Sequence, residues 1–95
     1  MPVVQFEVVW PDGKTEACYS PSSVIKEHFS AGKDYPLSEF LTTSETALNA
    51  ASNRVRERFG YACSSAMDQL SVIKTRCASY QTTPNASVKV TRFID

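Results

Sequence analysis

Apolar and polar residues alternate at the start of the chain. Val4, Phe6, Val8 and Trp10 share one face at period two, with Gln5, Glu7 and Val9 between them. That spacing, in β-branched and aromatic residues, predicts a half-buried strand. Pro11-Asp12-Gly13 follows as a turn, because proline presets φ, aspartate suits the next position and glycine takes the left-handed one. Residues 14–19 return as a second strand. A three-residue loop with a glycine bulge sets Trp10 opposite Lys14, Val8 opposite Glu16 and Phe6 opposite Cys18. A one-residue shift would pair Val8 with Thr15 and Phe6 with Ala17, which suits the hydrophobic pattern better. It would also drive Trp10, which precedes a proline, into a backbone region it disfavours. The bulged register is therefore the expectation, with the second strand an edge partly wet on both faces.

Beyond residue 20 the period changes to a helical one. Ser20-Pro21-Ser22-Ser23 is a capping cluster. Residues 24–29 form one short helix, which holds only if Val24 or Ile25 and Phe29 are packed. Residues 30–35 read as a loop. Pro36 opens the main helix, where Ser38 and Glu39 sit near the positive end of the dipole. Leu37, Phe40, Leu41, Leu48, Ala51, Val55 and Phe59 make one stripe at helical spacing, which Ala47 and Ala50 widen. Thr42-Thr43-Ser44 is a run of weak helix formers inside it. Gly60 stops this helix, and Ser64 and Ser65 begin another. That third helix, about 65–80, buries Ala66, Leu70, Ile73, Cys77 and Tyr80, and residues 87–94 form a last strand. The order is ββαααβ in a single domain, residues 1–95. The predicted fold is α+β, a two-layer sandwich whose three-stranded, mainly antiparallel sheet (order 2-1-3) is covered on one face by one short and two longer helices. The opposite face, with Gln5, Glu7, Lys89 and Thr91, is either solvated or a contact surface.

Composition narrows the class of partner. Ten Lys+Arg balance ten Asp+Glu in 95 residues, and the pI is near 6.6. Such a balance argues against non-specific nucleic-acid binding, which needs a basic face. No apolar run reaches the ~20 residues of a membrane span, and no signal peptide precedes the first strand pattern. Three cysteines, an odd number, favour reduced thiols in the cytoplasm.

Several residues are candidates for chemistry or binding. Cys63, at a helix start, sees amide N–H groups and the positive dipole end, which favour thiolate, and Arg56 or Arg58 would add to that. Its plain alternative is packing in the corner beside Tyr61. Cys18 has a packing or edge role. Cys18, His28, Cys63 and Cys77 are zinc-ligand types, but no Cys-x-x-Cys or His-x-x-x-His spacing joins them, so no metal or cofactor is expected. Arg54, Arg56, Arg58, Lys74 and Arg76 would suit an anion if they gathered in one region. Trp10, Tyr19, Tyr35 and Tyr61 mark a binding surface if exposed and core if buried. The binding candidates are thus Trp10, Tyr19, Tyr61, Cys63, Arg54 and Arg58.

Trp10-Pro11-Asp12-Gly13, Cys18-Tyr19-Ser20-Pro21-Ser22, Tyr35-Pro36-Leu37, residues 51–56 (ASNRVR) and Gly60-Tyr61-Ala62-Cys63-Ser64 occur in that order. As a set they resemble a family of short bacterial nitrogen-starvation-response proteins encoded in a gene cluster with a nitrilase. The resemblance covers nearly the whole chain. It implies a cytoplasmic bacterial protein linked to nitrogen or nitrile metabolism, and brings no catalytic residues with it. Small size, the lack of a catalytic constellation and that genomic setting together favour a non-enzymatic accessory or regulatory protein. It would act by protein contact, with a product of the same cluster as the expected partner. The open sheet face and edge strand also allow a homodimer. The alternatives are a thiol-dependent sensor or minor enzyme centred on Cys63, and a small anion- or metabolite-binding protein.

Overall fold

The computed structural model describes residues 4–60 and 64–94. The hairpin pattern yields β1 (Val4–Val9) and β2 (Thr15–Ser20), which pair antiparallel with Phe6 opposite Cys18 and Val8 opposite Glu16. The Trp10 N–H donates to the Lys14 carbonyl at 2.8 Å, and the Gly13 N–H to the Trp10 carbonyl at 2.8 Å. Gly13 has φ 88°, the left-handed value this loop requires. The bulged register holds.

Among the described residues four strands form the sheet, not three, in the order β2-β1-β4-β3. The extra strand is β3 (Lys33–Pro36), which runs antiparallel to β4 (Ser87–Ile94) in the stretch expected to be a loop. In Lys33-Asp34-Tyr35-Pro36 only Tyr35 is a large inward-facing residue, so there was no alternation to see. Its strand character comes from pairing with a segment more than fifty residues away, a tertiary effect that local propensity does not carry. The last strand lies beside the first, as the more apolar β1 pattern demanded.

A bulge between Glu7 and Val8 shifts the pairing of β1 with β4, so that Phe6 opposes Phe93 while Val8 opposes Val90. Thr91 is the extra residue. Its hydroxyl donates to the Glu7 carbonyl at 3.1 Å and to Glu7 Oε1 at 3.0 Å. The bulge lets Val90 and Phe93, three residues apart, both face the helices. On the open face Arg92 takes the place beside Glu7, with Nη2 3.3 Å from Oε2.

The inner face is covered by the helices α1 (Ile25–His28), α2 (Leu37–Phe59) and α3 (Ser64–Ser79). The four-residue α1 is held as its length required, by burial of Val24, Ile25 and Phe29. The Ser22 hydroxyl accepts the Val24 N–H at 3.3 Å at its entrance. Gly60, at φ 83°, ends α2, and its N–H bonds the Arg56 carbonyl. From the α2 stripe Phe40, Leu48, Ala51 and Val55 are buried, while Leu37 and Leu41 are half-buried against the core. Phe59 departs from the expected stripe at 51% exposed. A helix of 23 residues is ~34 Å long whereas a six-residue strand spans ~20 Å, so its last turn outruns the sheet it packs on. Of the α3 stripe Ala66, Leu70, Ile73 and Cys77 are buried as expected, while Tyr80, just past the helix end, is half-buried against the core.

Candidate functional site

The hairpin turn carries a polar-aromatic cluster built around Trp10. The ring is 3% exposed, stacked on Tyr80 at 5.9 Å and edge-on to Phe40 at 5.6 Å. Its Nε1–H donates to Glu16 Oε1 at 2.8 Å, and the same oxygen accepts from Arg76 Nε at 3.2 Å. Glu16 is thus an inward-facing carboxylate on an edge strand, neutralised by a guanidinium from α3. Burial, and then the neighbouring Asp12 carboxylate, raise the Tyr80 hydroxyl above its ordinary value. Trp10 is a core residue that joins the hairpin to the helical layer. Tyr35 is core too, 4% exposed, edge-on to Phe29 at 5.1 Å, with its hydroxyl accepting the Ser30 N–H at 2.8 Å.

Tyr19 is placed differently. It is half-buried in β2, opposite Gln5 on the open face. Because the closing pair is Trp10–Lys14, the pairs Val8–Glu16, Phe6–Cys18 and Val4–Ser20 exchange the ladder bonds. Thr15, Ala17 and Tyr19 consequently turn their N–H and C=O groups away from β1. Helix α3 runs along this edge. Gln69 Oε1 accepts the Tyr19 N–H at 2.9 Å, and Arg76 reaches Glu16. Between those two anchors Val72 is 41% exposed. A groove of about 390 Å³, lined by Tyr19, Ser65, Asp68, Gln69 and Val72, follows the seam. The open-face side of β2 is wet, and on the side facing the helices Glu16 keeps partial exposure while Cys18 and Ser20 are 1% and 0% exposed, so the expectation of two partly wet faces holds only toward the turn.

Gln69 and Val72 were not among the residues singled out from the sequence. Val72 carried a readable signal, since it is an apolar residue lying off the stripe of Leu70, Ile73 and Cys77. Gln69 carried none, because its bond spans fifty residues.

The basic residues do not gather. Lys74 Nζ lies 3.8 Å from Glu45 Oε1, and Arg76 is engaged at the hairpin. Glu45 beside Lys74 makes α2 and α3 antiparallel, so Arg54, Arg56 and Arg58 lie roughly 14–20 Å further along α2. All three are exposed. Their placement suits the negative end of the α2 dipole. Tyr61 and Cys63 lie outside the described residues. Of the other thiols, burial pushes Cys18 up to about 12 and Cys77 up to about 11, the opposite of what a nucleophile needs. Among the described residues no three His, Cys, Asp or Glu side chains come together as a metal site, and no helix is long and apolar enough to cross a membrane.

The family profile for nitrogen starvation-induced protein NitG matches residues 5–93. The chain belongs to that family. The matched span runs from β1 to the penultimate residue of β4, so it takes in the hairpin, the β2–α3 seam and all three helices. No curated protein and no solved structure matches the chain.

Proposed function

We propose that this NitG-family chain is a non-enzymatic accessory or regulatory protein of the bacterial nitrogen-starvation response, acting by contact with a protein partner along the β2–α3 seam. The expected partner is a product of the same gene cluster, linked to nitrogen or nitrile metabolism. One observation carries this reading: an edge strand whose outward backbone groups at Thr15 and Ala17 lie beside an exposed valine and a half-buried tyrosine. A segment of the partner adds to such an edge as a strand, with main-chain hydrogen bonds supplying affinity and the adjacent groove supplying selectivity. Only the family name ties the contact to nitrogen starvation.

Capture at native expression level from nitrogen-starved cells tests the reading, using the wild type beside Ala17→Pro and Val72→Glu. Proline at 17 deletes an outward N–H and leaves the ladder to β1 intact. The expected result is one specific partner retained by the wild type and lost by both variants. Failure of the wild type to retain any specific protein would sink the reading. Recovery of a second copy of this chain would replace it with a homodimer.

A further inference from the structure

A second concave site shares Tyr80 with the hairpin cluster. It is a cleft of about 370 Å³ between the first turns of α2 (Leu37, Ser38, Leu41), the end of α3 (Cys77, Tyr80, Gln81) and the segment entering β4 (Thr83, Ala86). Pro36 completes it. Its size falls within the range of small-molecule pockets, and is more than twice the ~150 Å³ of an apolar cavity that holds benzene. Among the described residues none that lines it is an ionised type. The Cys77 thiol, 2% exposed, is neutral at pH 7 because burial raises it to about 11. The walls are preformed: Leu37, Leu41 and Tyr80 pack against the core, and Tyr80 is also held by its stack on Trp10. Besides the Cys77 thiol and the Tyr80 hydroxyl, which is bonded to Asp12, the polar side chains of the lining are Ser38, Gln81 and Thr83, all exposed and so at the mouth of the cleft.

We infer that this cleft binds an uncharged, mostly apolar small molecule of about the size of indole. Its body lies against Leu37, Leu41 and Tyr80, and its single hydrogen-bonding group faces the hydroxyl and amide groups at the mouth. A carboxylate or ammonium would be stripped of water there with no opposite charge to receive it, so charged analogues are disfavoured. The site is separate from the β2–α3 seam, so it stands or falls independently of the partner contact.

An NMR titration of the full chain with indole and with phenol tests this, beside benzoate and benzylammonium as charged counterparts. Indole and phenol should shift signals of Leu37, Leu41, Cys77 and Ala86 in a saturable way, with Val72 and Tyr19 unmoved. Leu41→Trp fills the cleft and should weaken binding by about tenfold or more. If that variant does not fold, Ala86→Leu obstructs the opposite wall and serves the same purpose. Saturable protection of the Cys77 thiol from alkylation, to about one tenth of its rate at ten times Kd, is the second readout. Absence of saturable shifts with either neutral compound would overturn the proposal. So would benzoate or benzylammonium binding as tightly as indole, or unchanged binding in a folded blocking variant.

Discussion

The two edges of the sheet are closed by different means. At one edge β3 is four residues long and ends in proline. Leu37 N–H bonds Ala86 O just beyond it, which makes Tyr35–Val88 a bonded pair and turns Asp34 and Pro36 outward. That edge therefore offers a neighbouring chain a charged residue and a residue with no N–H, two common devices against unwanted pairing. The other edge, β2, is six residues long and turns Thr15, Ala17 and Tyr19 outward. The Tyr19 amide is taken up by Gln69 from α3. Helix α3 runs beside β2 and takes up that amide, while Thr15 and Ala17 stay exposed, so this edge keeps backbone groups that a proline would have removed. The difference teaches where a partner has something to bond.

The largest test of this contrast is on the closed edge. Tyr35→Ala removes the one side chain that ties β3 to the core and should cost about 3–5 kcal/mol in urea unfolding. A loss under about 1 kcal/mol would mean that β3 is held by its backbone alone. Next comes alkaline pH, which acts on the thiols beneath the other edge. Cys18 and Cys77 have folded-state values of about 12 and about 11 against an ordinary 9.0. Both are raised, so their contribution is complete below about pH 9 and is lost as pH rises toward the folded values. Stability should fall by about 1 kcal/mol per pH unit for each thiol, averaged between about pH 9 and 11, the full ~1.4 applying only midway between the unfolded and folded values. Cys18→Ala should halve that slope, whatever it does to the absolute stability.

Glu16→Ala strips the indole N–H and the Arg76 guanidinium of their shared acceptor, and should cost about 2 kcal/mol with a blue-shifted change in Trp10 fluorescence. Arg76→Ala should cost less, since Arg76 is half exposed and its partner keeps the indole bond. A smaller effect, of opposite sign, belongs to Ser44 in α2. Its buried hydroxyl has no hydrogen-bond partner, and Ser44→Ala should stabilise by about 1 kcal/mol without changing either edge. Smallest of all is Ala17→Pro, expected within about 1 kcal/mol of wild type because the deleted N–H points away from β1. A loss comparable to Tyr35→Ala would show that β2 is not paired in the register described, and would remove the seam as a docking edge.

Much of this was legible in residue pattern. The period-two run of β1, the Pro11-Asp12-Gly13 turn, the Gly60 stop and the buried stripe of α3 are local or singly periodic features. Each was readable because the physical reason for it lies within a few residues of chain. The register of the hairpin was readable too, since the proline after Trp10 excluded the competitor. The candidate site was much less so. Tyr19 is on the seam, but Trp10 was a surface candidate only until the fold enclosed it, and the basic residues were separated by the antiparallel run of α2 and α3. Tyr61 and Cys63 lie outside the described residues.

By itself, then, the sequence determined the class of the fold, the hairpin register, the limits of the two long helices and the central place of β1. These follow from steric preferences and from the period at which apolar residues recur, both properties of short segments. Tertiary structure alone decided that residues 33–36 would become a strand, that the bulge at Thr91 would bring Phe93 against the core, and that Gln69 and Val72 would border β2. Those outcomes rest on pairings across fifty residues or more, where the free energy comes from burial and hydrogen bonds that exist only once both partners are in place.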